Sequence, residues 1–599
     1  MPNMKEPLST RLLALLSLWL GFCRQSAFGF RPLFSGSASR GTWKRSSSSP
    51  SALLVERETA AVPPSPAGEP TTPLAAPVLD LEGEAAPKTT LIEEGALHLR
   101  EYPGGLSVPW TQFEEQREAW WNGIVNSRSP DVVSALVEQT RAVGETALKS
   151  VPNPTRKLEA FRHQKNLDKL YQTQFKSSSD GKTVSVSREA LSPFVCDEAE
   201  DVLVLVNGVV RPELSALSSA SEFYLGSLGG AGDEIVSVLE REGLLSFIPE
   251  WTNFDQLRDY EDSYPVFDRK KFDHGMAKFA ALNLACASDA AVLRVNPGVK
   301  VEKPLQILHV AVAPEESDAE TLPTASHPRV ILSMGEGAQA RVVHSSVSIS
   351  SSSSSAAAAE GETPKGGLVN GATVVGMGEG AELKLDVLQE LEEGRGWWHW
   401  EQMAVRNAPK ASVSICEILR GSESSRLNTQ IDSPGECRQE LSSLIMAGGR
   451  QQLTACQMIH HRKGGGTTEQ LHKNVMADRG DACWRGRVRI EHGADQTACA
   501  QMCRTLTVNP GTKATVIPSL EILTDDVTAT HGATVSDIPE AEVFYLTSRG
   551  IPRGAARYML LQGFVEDIAR GLTDKRAEKR VMEKLDRMAP DVLSGAAGR

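Results

Sequence analysis

The sequence contains no Gly-x-Ser-x-Gly elbow, no His-Glu-x-x-His pair and no paired Cys-x-x-Cys. Serine-hydrolase, zinc-protease and paired-cysteine metal chemistry therefore lack their usual sequence basis. Nor is there a phosphate loop. Gly464 to Gly466 is not followed by Lys-Ser or Lys-Thr, and Met-Gly-Glu-Gly-Ala at Met334 lacks the strand-to-helix context of a dinucleotide site. No nucleotide site of the chain's own is expected. Positive charge is scarce: 63 basic against 76 acidic side chains give a net charge of −13, with the two signs interspersed, which argues against nucleic acid as a partner. The apolar run RLLALLSLWLGFC, Arg11 to Cys23, is short for a bilayer-spanning helix and fits a signal-peptide core, so no stable membrane insertion is expected once it is removed. The nine cysteines are scattered and show no small-domain disulfide framework, which favours a reducing destination.

What is present divides the chain into five stretches. Residues 1–27 are signal-peptide-like, and 28–90 are transit-like and then linker; Ser46 to Pro87 is too poor in large apolar groups to offset its ordering entropy. Helical spacing over 91–290, as in TQFEEQREAWWNGIVNS, predicts an N-terminal helical domain, with Pro130 at a first helical position after Ser129 and a small strand element at Asp201 to Val210. From 291 to 537 short β-prone runs alternate with Gly, Asn and Asp turns. They echo one another: MGEGAQARVV from Met334 recurs as MGEGAELKLD from Met377, and NPGVKV at Asn296 as NPGTKA at Asn509. Turn-strand units that cannot bury an apolar face singly are explained by stacking into a β-helix, with a β-sandwich as the competing arrangement. The tract Ser348 to Gly367 reads as an exposed insertion between coils. In 538–599 the period turns helical, with Ala556, Met559, Leu560, Gly563, Phe564 and Ile568 on one face.

Candidate chemistry concentrates where strand gives way to helix. His531 stands in DDVTATHGATV beside Asp525, Asp526 and small residues, and a neutral imidazole nitrogen is a good ligand for iron. The alternative is a hydrogen-bonded structural histidine. Cys503 is the next candidate, as a soft ligand or as a small packed hydrophobe; Cys499 shares its strand face but lies roughly 13 Å away, too far to share one ion. Cys456, His460, His461 and His472 form a weaker set, because adjacent histidines on a strand point to opposite faces.

Three segments carry a family resemblance. PNPTRKLEAFRHQKNLDKLY, Pro152 to Tyr171, resembles the Pro-Thr-Arg-Lys…Glu-Ala-Trp-Arg segment of the SufB/SufD family, scaffold subunits of the SUF iron–sulfur assembly machinery, with Phe161 in place of Trp. Phe279 to Val310 resembles that family's passage from helical domain to β core, and HGATV followed by FYLTSRGI resembles its SufD branch more than its SufB branch. The resemblance implies a mainly β fold with α: a right-handed parallel β-helix core flanked by an N-terminal helical domain and a C-terminal helical segment. It implies a scaffold without catalytic residues, pairing with a SufB-like subunit and binding a SufC-like ATPase through the C-terminal helices, where Arg549, Met559, Leu560, Phe564 and Ile568 are the candidate contacts. A transient iron–sulfur cluster or iron would be held at His531, with Cys503 as companion. Many SufD proteins carry Cys two residues before this His; here the position is Ala529. The alternative is a structural pseudo-scaffold that ligates no metal. A secreted β-helical carbohydrate-active enzyme would need a carboxylate cluster that the sequence does not offer beyond Glu521, Asp525 and Asp526. Finally, SAFGFRP at Ser26 and the acid-free Ser/Arg/Lys stretch after it resemble the two-part presequence of algae with secondary plastids, with secretion as the alternative.

Overall fold

The computed structural model describes residues 110–128, 134–151, 153–156, 158, 161–178, 185–248, 275–313, 322–349 and 366–589. The presequence, the linker, the Ser129–Pro130 helix start and most of the Ser348–Gly367 insertion lie outside these residues.

From Ala291 the strands alternate between two sheets, and each pairs in parallel with the strand one coil further on, so the chain winds as a β-solenoid. The sequence echo is this repeat. Met334 is the register partner of Met377, one coil apart, and each MGEGA turn places a glycine, Gly337 and Gly380, at φ 64° where a side chain would be strained. Leu, Ile, Val and Ala from both sheets fill the space between them in one continuous apolar cluster.

The strand element expected at Asp201 to Val210 forms as two strands, Asp201–Val206 and Val209–Val210, and the first is a solenoid strand within the stretch read as helical. It lies parallel to Leu305–Val312 in the second sheet and antiparallel to Val209–Val210, while Phe223–Ser227 runs antiparallel to Ala291–Val295 in the first. These short antiparallel strands close one end of the solenoid. At the other end, Lys513–Ile522 and Val527–Ser536 are the outermost strands, and among the described residues neither pairs with anything on its outer side.

Helices Trp110–Asn126, Ala135–Ser150 and Gly275–Cys286 pack beside the solenoid. Ser134 caps the second, its hydroxyl accepting from the Val137 amide. That helix meets Gly275–Cys286 at Gly144, where a β-carbon would lie 2.4 Å from the Ala285 nitrogen. Trp120, Trp121, Phe279 and Trp400 meet edge to face and tie these helices to the strand Trp398–Asn407.

Helices Glu540–Thr547, Arg553–Ala569 and Lys575–Met588 follow the last strand. They fold back on the second sheet through buried polar contacts: Lys473 Nζ donates to the Phe564 carbonyl at 2.8 Å and Asp567 at 2.6 Å, and Arg580 pairs with Glu390 at 2.8 Å. No helix of the described residues is long and apolar enough to cross a membrane.

Candidate site at the open end of the solenoid

On the strand Thr497–Thr507 burial alternates: Thr497, Cys499, Gln501, Cys503 and Thr505 point inward, while Ala498, Ala500 and Arg504 face out. The last strand stacks on it in register, so Val527, Ala529, His531 and Ala533 lie over Thr497, Cys499, Gln501 and Cys503. Val527 and Ala529 complete the apolar core. His531 occupies the next inward position, yet no further coil covers it, and its ring is exposed. Asp525 and Asp526 are exposed as well, and the His531 ring makes no hydrogen bond among the described residues.

Cys503 is fully buried beneath Ala533, and burial pushes its thiol up to about 12. It is a protonated thiol, a poor ligand in that state. Cys499, beneath Ala529, is also raised to about 12 by burial, and lies 3.6 Å from His461 Nε2, whose ring burial lowers to about 4. The pair is neutral on both sides. His460 turns the opposite way and bonds Glu491 at 2.7 Å, as alternation requires. No group of three His, Cys, Asp or Glu side chains among the described residues is gathered to hold a metal.

Beneath His531 runs a polar ladder inside the solenoid, which the sequence reading did not anticipate. Gln457 Nε2 donates to Glu417 Oε2, Gln470 Nε2 to Gln457 Oε1 and Gln501 Nε2 to Gln470 Oε1, each at 2.6 Å. Its members are separated in sequence by 40, 13 and 31 residues because the ladder crosses between sheets, so no spacing betrays it. Burial raises the Glu417 carboxyl to about 7.

Of the C-terminal candidates, Leu560 and Ile568 are buried against this chain's own residues, Met559 is half-buried, and Phe564 lies under the Lys473 ammonium, 4.4 Å from its ring centre. Arg549 is exposed, stacked 3.5 Å over Tyr545, whereas Arg553 and Arg557 pair with Glu540 and Asp537. Apart from Leu217 and Leu322, the exposed large apolar groups among the described residues are Ile522 and Val535 on the last coil and Phe544 and Tyr545 on the helix that follows it.

Residues 315–564 match the core domain of the SufBD proteins, described as SUF system FeS cluster assembly. Over those residues the chain is similar to the SufBD core, and the relatives it matches make it SufD-like. It is 25% identical to the iron–sulfur cluster assembly protein SufD of Escherichia coli over 438 residues, 73% of this chain and 89% of that one. It is also 25% identical over 471 residues to SufD of Plasmodium berghei, and 29% identical over 300 residues to the protein ABCI7, chloroplastic, of Arabidopsis thaliana. Those alignments cover 61% and 50% of this chain; the first spans 34% of the Plasmodium protein's length and the second 60% of the Arabidopsis protein's.

Proposed function

We propose that this chain is a scaffold subunit for iron–sulfur cluster assembly: its open coil meets a SufB-like subunit, its C-terminal helices carry a SufC-like ATPase, and His531 is an iron ligand at the subunit contact. Iron and sulfide are cargo. The observation that carries this reading is the open end itself. Two outermost strands of ten residues each, with exposed Ile522 and Val535, present unpaired backbone and apolar surface that a matching solenoid end would cover. His531 sits on that end with Ala529 and Ala533 on either side, so a partner's groups can approach the ring, and its neutral nitrogen suits ferrous iron. The Cys503 thiol could act only after the coil above it opens.

Co-purification with candidate SufB-like and SufC-like subunits tests the assembly. Val535→Asp with Ile522→Asp is expected to abolish the first association and leave the chain folded; retention of the SufB-like subunit refutes the proposed contact. His531→Ala is expected to leave the complex and its ATPase activity intact while lowering the iron retained after anaerobic reconstitution. The second reading, a structural pseudo-scaffold, is favoured by the lack of a gathered metal-ligand group among the described residues. It predicts unchanged iron content in His531→Ala.

The destination we propose is a plastid, supported by the two-part N-terminal pattern and the chloroplastic Arabidopsis relative. A reporter carrying residues 1–60 is expected to enter a plastid; its secretion would favour the alternative.

A further inference from the structure

The direction of every amide in the internal ladder is fixed by one residue that can only donate. Trp484 Nε1 donates to Gln457 Oε1 at 2.9 Å, so the Gln457 oxygen must face the indole and its nitrogen must face Glu417. Gln470 then has to present its nitrogen to that same oxygen, and its own oxygen takes the nitrogen of Gln501. Gly486 makes room for this order: a β-carbon there would lie 2.3 Å from the Trp484 ring and 2.5 Å from Gln501 Nε2.

The ladder therefore ends on an oxygen. Gln501 is 2% exposed, and its Oε1 has no hydrogen-bond partner, which for a buried acceptor costs about 1 to 3 kcal/mol and calls for a partner. Its register neighbour on the last coil is His531, on the same inward side, with backbones about 4.8 Å apart as in any parallel sheet. His531 has a ring N–H to give and no acceptor among the described residues.

We propose that Gln501 is the positioning residue for His531. When a partner covers the coil end, the imidazole turns down, one ring N–H donates to Gln501 Oε1, and the other nitrogen is left unprotonated and aimed at the rim, ready to ligate iron. A metal-binding histidine commonly gives its second ring N–H to such an acceptor, which sets tautomer and orientation together. The inference rests on the His531 ligand reading above and adds what orients the ring.

The test uses the assembled complex. Gln501→Met keeps length and removes both the acceptor and the donor to Gln470; Gln501→Glu loses that donor equally but keeps an acceptor at the same reach. Ferrous iron retained against a chelator series is expected to weaken about 10-fold or more in Gln501→Met, to recover in Gln501→Glu, and to be unaffected by Gln501→Met in a His531→Ala background. An equal loss with and without His531 would mean general loosening of the ladder and overturns the proposal. Ring-nitrogen NMR of histidine-labelled complex, with the His531 signal assigned by its loss in His531→Ala, separates the two ideas. If His531→Ala retains its iron, the ligand reading fails; a tautomer change at His531 caused by Gln501→Met then still supports the positioning role, and no change overturns it.

Discussion

Glu390 fastens the C-terminal helices to the solenoid, and its replacement should release them. Its side chain is fully buried at the end of the strand Glu382–Glu390, between Arg420 Nε at 2.5 Å and Arg580 Nη2 at 2.8 Å, the latter from the helix Lys575–Met588. Burial alone would push this carboxyl up, but Arg420 and Arg580 outweigh it and the net shift is downward. Glu390→Gln preserves shape and leaves two buried guanidinium groups without their shared counter-charge. Breaking such a buried arrangement costs about 3 to 5 kcal/mol; because Asp574 still lies 3.5 Å from Arg580, we expect the lower end, about 3 kcal/mol. Urea unfolding should show a lower midpoint, and limited proteolysis should cut first between Arg570 and Lys575. Since the folded pKa lies below the ordinary value of 4.5, this stabilisation is present above pH 4.5 and is lost as pH falls through the folded value; the variant should lack that acid limb. A loss under about 1 kcal/mol, or the same loss when Arg580 is already Met, would refute the reasoning.

Glu417 is the opposite case, with burial raising its carboxyl from 4.5 to about 7. The folded state binds the extra proton, so stability should fall as pH rises from about 4.5 to 7, and Glu417→Gln should remove that slope and add about 3 kcal/mol at pH 8, read by thermal melts across pH. Gly486→Ala drives a methyl into Trp484 and Gln501, and an overpacking loss of about 1 to 3 kcal/mol is expected; an unchanged melting temperature would show that the ladder is slack there.

The repeated turns left a solenoid level with a sandwich, and the family resemblance decided between them; in the structure the two MGEGA segments are register neighbours, and the second glycine of each, Gly337 and Gly380, is at positive φ. The strand Asp201–Val206 was also readable, but its place was not, since its partner Leu305–Val312 is a hundred residues away and pairing leaves no local signal. The inward row was harder still. Along Trp398–Asn407 eight consecutive residues are buried, because helices cover the outer face, so alternation could not say which side chains enter the core. Nothing in the sequence marked Gln457, Gln470 and Gln501 as interior residues, since a glutamine on a strand has no local signal for the face it takes. On the helix Arg553–Ala569 the period caught Ala556, Leu560 and Ile568 of the buried face but not Leu561 or Val565, and periodicity cannot distinguish a face packed on the chain's own residues from one meeting another protein.

The two ends of the solenoid differ in a way that limits how far copies or relatives can string together. The closed end finishes in antiparallel edges of two and five residues, Val209–Val210 and Phe223–Ser227, while the open end offers ten residues on each sheet. A coil stack with long bare ladders at both ends would polymerise, each added unit exposing a fresh template for the next. Here the docking of one matching end uses the only long template present among the described residues. With the docking proposed above, growth by ladder extension would terminate after a single joining event, and a repetitive architecture prone to fibres would be confined to pairs.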